Sequence, residues 1–238
     1  MKSYHREVTG TGVVGGQNGV VTPKRTLNIV VASCAAITAL LVWQVVGWGT
    51  LSRLDVDAAH AARRLKPNRD LFEITVMLGL RGIILTVCLP MLAWRSWRDR
   101  SWQAVGGFVL VLLFETGLVG VLKVAVGRSF PYQGDMVLEA GFLAFPSGHA
   151  GNVVALWGFC AWYFARRRPA LRTVLWSGVV LFTGVVGVSS WLIRTHWPTD
   201  LFAGYALGAL ALVTVVSAIR AVEISRQASA QQGHAVRP

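Results

Sequence analysis

The sequence predicts an all-α integral membrane protein, a bundle of six transmembrane helices with both termini cytoplasmic. Three observations carry that prediction. Of 238 residues, 54% are hydrophobic and 14% charged, with mean hydropathy +0.53, a composition unsuited to a soluble domain. A bilayer core about 30 Å thick takes roughly 20 apolar residues of helix, and six stretches meet that length. The basic residues between these stretches are distributed unequally on the two sides. A formal charge of +12 would suit a nucleic-acid partner in a soluble chain, but here the charges lie between long apolar runs, which demotes nucleic acid.

Residues 1–26, containing Gly10, Gly12, Gly15, Gly16 and Gly19, read as a flexible cytoplasmic tail without a secretory cleavage pattern. The membrane domain covers 27–219, with spans at 27–49, 71–94, 102–122, 147–165, 171–193 and 199–219. Residues 220–238 form a second cytoplasmic tail. Between the first two spans, 54–67 has helical propensity but is too polar to cross. It reads either as an amphipathic helix on the outer surface or as a solvated connector that touches nothing. Cys34, Cys88 and Cys160 sit in apolar runs and are expected to form no disulfide. No internal repeat and no broken pair of spans is evident.

Cytoplasmic segments carry the excess of Lys and Arg. With the N-terminus inside, residues such as Lys24, Arg25, Arg95, Arg98, Arg100 and the Arg166–Arg168 run are cytoplasmic, as are Arg220 and Arg226. The opposite side holds fewer basic residues and most of the acids, including Asp55, Asp57, Asp135, Glu139 and Asp200. Arg81 and Glu115 stand apart. At 1.5 Å per residue they lie about 15 Å and about 12 Å below the outer ends of their helices. An unpaired charge at that depth is costly, so an ion pair facing the bundle interior is the economical reading, with a substrate-linked role as the alternative.

Polar residues that a membrane protein has no need of concentrate in two loops, 123–149 and 194–200. Each joins an odd span to the following even one, so both open on one face, extracytoplasmic in this orientation. The first loop offers Lys123 as a point charge and Arg128 as a planar fork for phosphate oxygens. It ends in Pro146-Ser147-Gly148-His149, where the amides of Ser147 and Gly148 are expected to be unpaired donors at a helix N-terminus, a setting that suits phosphate. In the second loop Asp200 follows His196 by four residues, close enough to hold the imidazole in one tautomer. His149 would face it from the first loop. Two histidines, one buttressed by a carboxylate, form a nucleophile and acid pair for phosphoryl transfer. A metal held by His149, His196 and Asp200 is disfavoured by the surrounding cations, so no metal and no cofactor is expected.

These residues resemble the type 2 phosphatidic acid phosphatase superfamily, whose membrane members are six-span lipid phosphatases. Its signature is Lys-x6-Arg-Pro, then Pro-Ser-Gly-His, then Ser-Arg-x5-His-x3-Asp. Lys123 and Pro131 match the first part, Pro146 to His149 the second completely, and Ser189, His196 and Asp200 the third. The resemblance implies that His196 attacks phosphorus, Asp200 supports it and His149 protonates the leaving oxygen. It also implies that Lys123, Ser147 and the Gly148 amide bind the phosphate without a metal. Two family arginines are absent, replaced by Phe130 and Ser190. Arg128 and Arg194 are the expected substitutes, Arg194 because a fifth span continued to that point would carry it on the face of Ser190. The implied function is hydrolysis of a phosphorylated lipid at the outer face of a cell membrane. The competing readings are a catalytically silent relative that binds or moves a phospholipid, and a small-ion channel resting on Arg81 and Glu115 alone.

Overall fold

The computed structural model describes residues 23–235. The expected N-terminal tail lies outside the described residues as far as position 22, and Pro23 opens the first helix. In chain order the helices are α1 (Pro23–Val46), α2 (Thr50–Leu65), α3 (Arg69–Val76), α4 (Arg81–Arg98) and α5 (Gln103–Val126). After the long loop come α6 (Gly148–Asn152), α7 (Gly158–Ala165), α8 (Arg172–Leu192) and α9 (Pro198–Ala235). Among the described residues the sole β pairing is an isolated antiparallel bridge between Arg128 and Leu138.

Four of these helices, α1, α5, α8 and α9, are long and apolar enough to cross a membrane, and α3 with α4 makes a fifth as a pair bent by 45°. The chain is thus a multi-pass helical membrane protein. Residues 148–165, within the expected fourth span at 147–165, are one helical run in which a π turn over Val153–Trp157 joins α6 to α7. Most of its side chains are buried against other helices. It is the innermost layer of the bundle.

Two expectations are corrected here. The span predicted at 71–94 is broken: a short 3₁₀ turn, Met77–Gly79, is followed by Leu80 in an extended conformation. The break persists because other helices satisfy the carbonyls it releases, Asn152 Nδ2 donating to Gly79 O at 3.0 Å and Trp157 Nε1 to Leu78 O at 3.0 Å. The last helix does not stop at 219 but runs to Ala235. Its extra turns are tied back by a two-pronged contact from Arg166 to Glu223, at 3.1 and 2.8 Å.

The main core lies where α4, α5, α7 and α9 meet, around Ile84, Leu92, Phe108, Phe159 and Leu212. A smaller cluster of Val45, Val126, Phe145 and Ala203 seats the long loop on α1 and α9. α2 is amphipathic, and its narrow face of Ser52, Asp55, Ala59 and Ala62 is buried. Trp191 Nε1 donates to Ala58 O at 2.9 Å, so α2 is docked on α8 and is no free connector. Cys34, Cys88 and Cys160 are buried free thiols.

α9 reaches the start of α6 because Gly204 presents no side chain there: a Cβ at this position would collide with Ser147 O and lie 2.9 Å from Ala150 Cβ. Forced overpacking of this kind costs about 1–3 kcal/mol. Gly204→Leu is therefore expected to lower the free energy of unfolding in detergent by that amount or more. Gly117→Leu, at a position with open space around it, is expected to stay within about 0.5 kcal/mol.

Candidate active site

The site forms where the long loop and the α8–α9 turn close over the start of α6. His149, one residue into α6, and His196, in the turn, have ring centroids 6.4 Å apart and planes inclined by 56°. His196 is almost fully buried, and its Nδ1 lies 3.4 Å from Asp200 Oδ2. With Nδ1 carrying the proton toward the carboxylate, Nε2 is left as the free lone pair. The spacing of four residues achieves this because Pro198 begins α9, and Asp200 in its first turn reaches back over the turn. The same carboxylate accepts from Trp197 N at 3.0 Å, which fixes the orientation of the group beside the imidazole.

Arg128 lies behind this pair. It is fully buried, its Nη1 is 2.6 Å from Asp200 Oδ1 and its Nη2 is 2.6 Å from Asp55 Oδ2 on α2. Thr199 Oγ1 lies 2.7 Å from Nη1, and the guanidinium carbon stands 5.0 Å over the Trp197 ring. Thr199 in turn donates its amide to Asp55 Oδ1 at 3.0 Å and its hydroxyl to Asp55 Oδ2. Burial pushes the Asp55 carboxyl above the usual carboxylate range, and Arg128 and Thr199 pull it back. The expectation that Arg128 is free to hold phosphate is thereby corrected: both terminal nitrogens are committed to carboxylates on the far side of Asp200 from the imidazole. Sequence reasoning missed Asp55 and Thr199. The available signal for Asp55 was an acid at helical spacing in an otherwise small-residue stripe, Ser52, Asp55, Ala59, Ala62.

Lys123 sits in the last turn of α5, half-buried, and its ammonium donates to Leu143 O in the loop. Ser147 is the N-cap of α6, its hydroxyl accepting from Ala150 N at 3.4 Å. Its amide is not an unpaired donor as expected, since it donates to Asp200 O at 2.9 Å and so joins the two loops. Gly148 lies beside Val119 of α5. Arg194 also departs from expectation. α8 ends at Leu192, and Arg194 adopts a left-handed conformation (φ 59°), so the helix does not carry it on the face of Ser190. It is half-buried and makes no ion pair among the described residues. Ser190 is fully buried and Ser189 is bonded to Thr75 of α3, Oγ to Oγ1, at 2.7 Å.

Phe130 takes the place of the first missing arginine with its ring edge-on to His196, centroids 5.8 Å apart, and stacked on Tyr132. In the bundle, Arg81 Nη2 meets Glu115 Oε2 at 3.4 Å, the ion pair expected between them. Among the described residues no group of three or more His, Cys, Asp or Glu side chains is arranged to hold a metal ion.

The sequence profile of the PAP2 superfamily matches residues 104–223, from α5 through α9 and all three signature segments. The chain belongs to that superfamily. It is 28% identical over 140 residues to phosphatidylglycerophosphatase B of Bacillus subtilis, covering 56% of this chain and 66% of that protein. A lipid A 1-phosphatase of Rhizobium etli is 30% identical over 123 residues, covering 45% of this chain and 47% of the relative. The chain thus matches between about half and two thirds of the length of these curated relatives. The crystal structure of a transmembrane PAP2-type phosphatidylglycerolphosphate phosphatase from Bacillus subtilis superposes with a TM-score of 0.71 at 21% identity. The superposition covers 81% of this chain and 96% of that one, so the two share a fold.

Within this PAP2 fold the Asp55–Arg128–Asp200 cluster has a measurable consequence. Removing one partner from a buried ion pair costs about 3–5 kcal/mol because a charge is left uncompensated. Arg128→Met is expected to destabilise by that amount in detergent unfolding. Adding Asp55→Asn to it is expected to restore part of the loss, which a double-mutant cycle reads directly.

Proposed function

We propose that this protein is a metal-independent lipid phosphatase that removes a terminal phosphate through a phosphohistidine. The observation that carries the reading is the facing pair His149 and His196, with Asp200 behind His196 and Lys123 nearby at the end of α5. His196 Nε2 attacks phosphorus while His149 donates a proton to the leaving lipid oxygen. Asp200 accepts from Nδ1 and stabilises the imidazolium that forms as the N–P bond develops. Water, deprotonated by His149, then displaces His196 from phosphorus and releases inorganic phosphate. Lys123, the Ser147 hydroxyl and the Gly148 amide hold the equatorial oxygens, where charge stabilisation contributes most.

The chemistry suits several envelope lipids: polyprenyl diphosphate, phosphatidate, phosphatidylglycerol phosphate or a prenyl-linked sugar phosphate. The relatives named for phosphatidylglycerophosphate and lipid A support this class. We place the chain in the cell membrane with six spans, both termini cytoplasmic and the histidines on the extracytoplasmic side, on the asymmetry of Lys and Arg. The second reading, a catalytically silent relative that binds a phospholipid, draws on Phe130 and Ser190 at the two arginine positions.

Purified protein in detergent, assayed for phosphate release from a panel of these lipids with a chelator present, tests both. Turnover is expected to survive the chelator, to fall by about 10³-fold or more in His196→Ala, and to fall by about 10²–10⁴-fold in His149→Ala. Equal release by wild type and His196→Ala would refute the phosphohistidine route. No release from any lipid would favour the silent relative.

A further inference from the structure

The substitution of both family arginines leaves a question of charge that the fold itself answers. Arg128 is turned away to two carboxylates, and Arg194 lies on a left-handed turn beyond the end of α8. The remaining deep cation is Arg81, and the break in the second span brings it to the site. Gly79 packs directly on His149: a Cβ at Gly79 would lie 2.8 Å from His149 O and 2.9 Å from His149 Cβ. Asn152, three residues after His149, holds Gly79 O. α4 restarts two residues later with Arg81 as its first residue, and its guanidinium turns to Glu115 of α5.

Glu115 confirms the placement from the other side. It is fully buried on α5, with Oε2 3.4 Å from Arg81 Nη2 and Oε1 pressed against Gly151, two residues beyond His149. Val119 and Lys123 follow it at intervals of four on the same helix face, Val119 against Gly148. Arg81, Glu115 and Lys123 therefore line one side of His149, with the carboxylate between two cations.

Arg81 is also under-used. The protein's structural pair shows what a committed arginine looks like: Arg128 is fully buried with a contact of 2.6 Å at each terminal nitrogen. Arg81 makes one contact at 3.4 Å and its side chain is 38% exposed; its buried Nε has no partner, as that of Arg128 has none, so the difference lies in the terminal nitrogens. Terminal N–H groups held by one long contact remain available as donors, and a phosphate oxygen is the acceptor their chemistry matches best.

We propose that Arg81 binds the phosphoryl group in this site, supplying the charge stabilisation that Phe130 and Ser190 do not, and that Glu115 is the partner from which the phosphate takes the guanidinium. The ligand is a phosphate monoester dianion or the inorganic phosphate released from it, and the proposal rests on the phosphatase reading above for the first of these. Arg81 is a binding residue delivered by a helix break, outside the segment that the family profile covers.

The test compares inorganic phosphate and orthovanadate with lipid turnover in detergent. Arg81→Gln is expected to lower kcat/KM on the best lipid substrate by about 10²–10³-fold and to weaken orthovanadate and phosphate binding about tenfold or more, with Arg81→Lys recovering part of both. Glu115→Gln, which releases the guanidinium, is expected to tighten phosphate. Unchanged anion affinity in Arg81→Gln, or equal weakening in Glu115→Gln, would show a structural pair only and overturn the proposal. If Arg81→Gln fails to fold around an orphaned Glu115, the double variant Arg81→Gln/Glu115→Gln is measured in its place, with the same anion readout deciding. Direct binding of orthovanadate to wild type and variant keeps the two readings separate. Wild type that binds orthovanadate through Arg81 but releases no phosphate from any lipid refutes the phosphatase reading and leaves the role of Arg81 standing.

Discussion

The interaction on which the rest of the site depends is the buried chain Asp55–Arg128–Asp200. It joins three separate pieces of the protein: the surface helix α2, the loop after α5 and the first turn of α9. A guanidinium fully removed from water needs both carboxylates, and each carboxylate needs the cation, so none of the three pieces can shift alone. Trp197 under the guanidinium, with its Nε1 donating to Ser129 O at 2.7 Å, closes the same unit. Asp200 thereby has one oxygen anchored and the other directed at His196. The carboxylate that faces His196 Nδ1 at 3.4 Å is therefore positioned from behind, by Arg128 and Asp55.

Backbone hydrogen bonds complete what the ion pairs begin. Ser147 N donates to Asp200 O, which ties the start of α6 to the start of α9 and brings His149 opposite His196. The loop between α5 and α6 is itself ordered by Ser129 N to Val137 O at 2.9 Å, Glu139 N to Gly127 O at 2.7 Å and Ala144 N to Arg128 O at 2.9 Å. An irregular segment at the membrane surface is thus satisfied internally, as it must be wherever it lies against apolar helices. The break between α3 and α4 follows the same rule, its carbonyls being taken by Asn152 and Trp157.

The family signature keeps its two histidines, its aspartate and its lysine, and departs at its two arginine positions. Phe130 presents an aromatic edge to His196 where the family has an arginine, and Ser190 is a small buried residue where it has the other. The apolar edge lowers the local polarity around the imidazole, which strengthens any charge interaction that remains. In such a site the position of each remaining cation matters more than their number. Arg128 is held by short contacts behind Asp200, whereas Arg81 at the start of α4 makes one longer contact, to Glu115.

The helical membrane class was legible along the chain, as were the motif residues His149, His196 and Asp200 that the fold brings near one another. Hydropathy, helix-start prolines and fixed motif spacing are local properties, and local properties survive into the folded protein. Three things were not readable. The second span breaks at Gly79 and Leu80 because distant Asn152 and Trp157 satisfy its carbonyls, and an apolar helix pattern carries no record of those partners. Arg128 reads as a phosphate ligand from its place near Lys123, yet Asp55, 73 positions away, takes its guanidinium. Arg194 leaves the face of Ser190 because α8 ends at Leu192, two residues short of it, and a terminus is decided by capping and packing rather than by composition. The sequence by itself determined the helical membrane class and the motif residues His149, His196 and Asp200, which the fold brings together. Only the tertiary structure decided how the cations are paired, Arg128 with Asp55 and Asp200 and Arg81 with Glu115, because charge pairing across long sequence separation depends on burial and geometry.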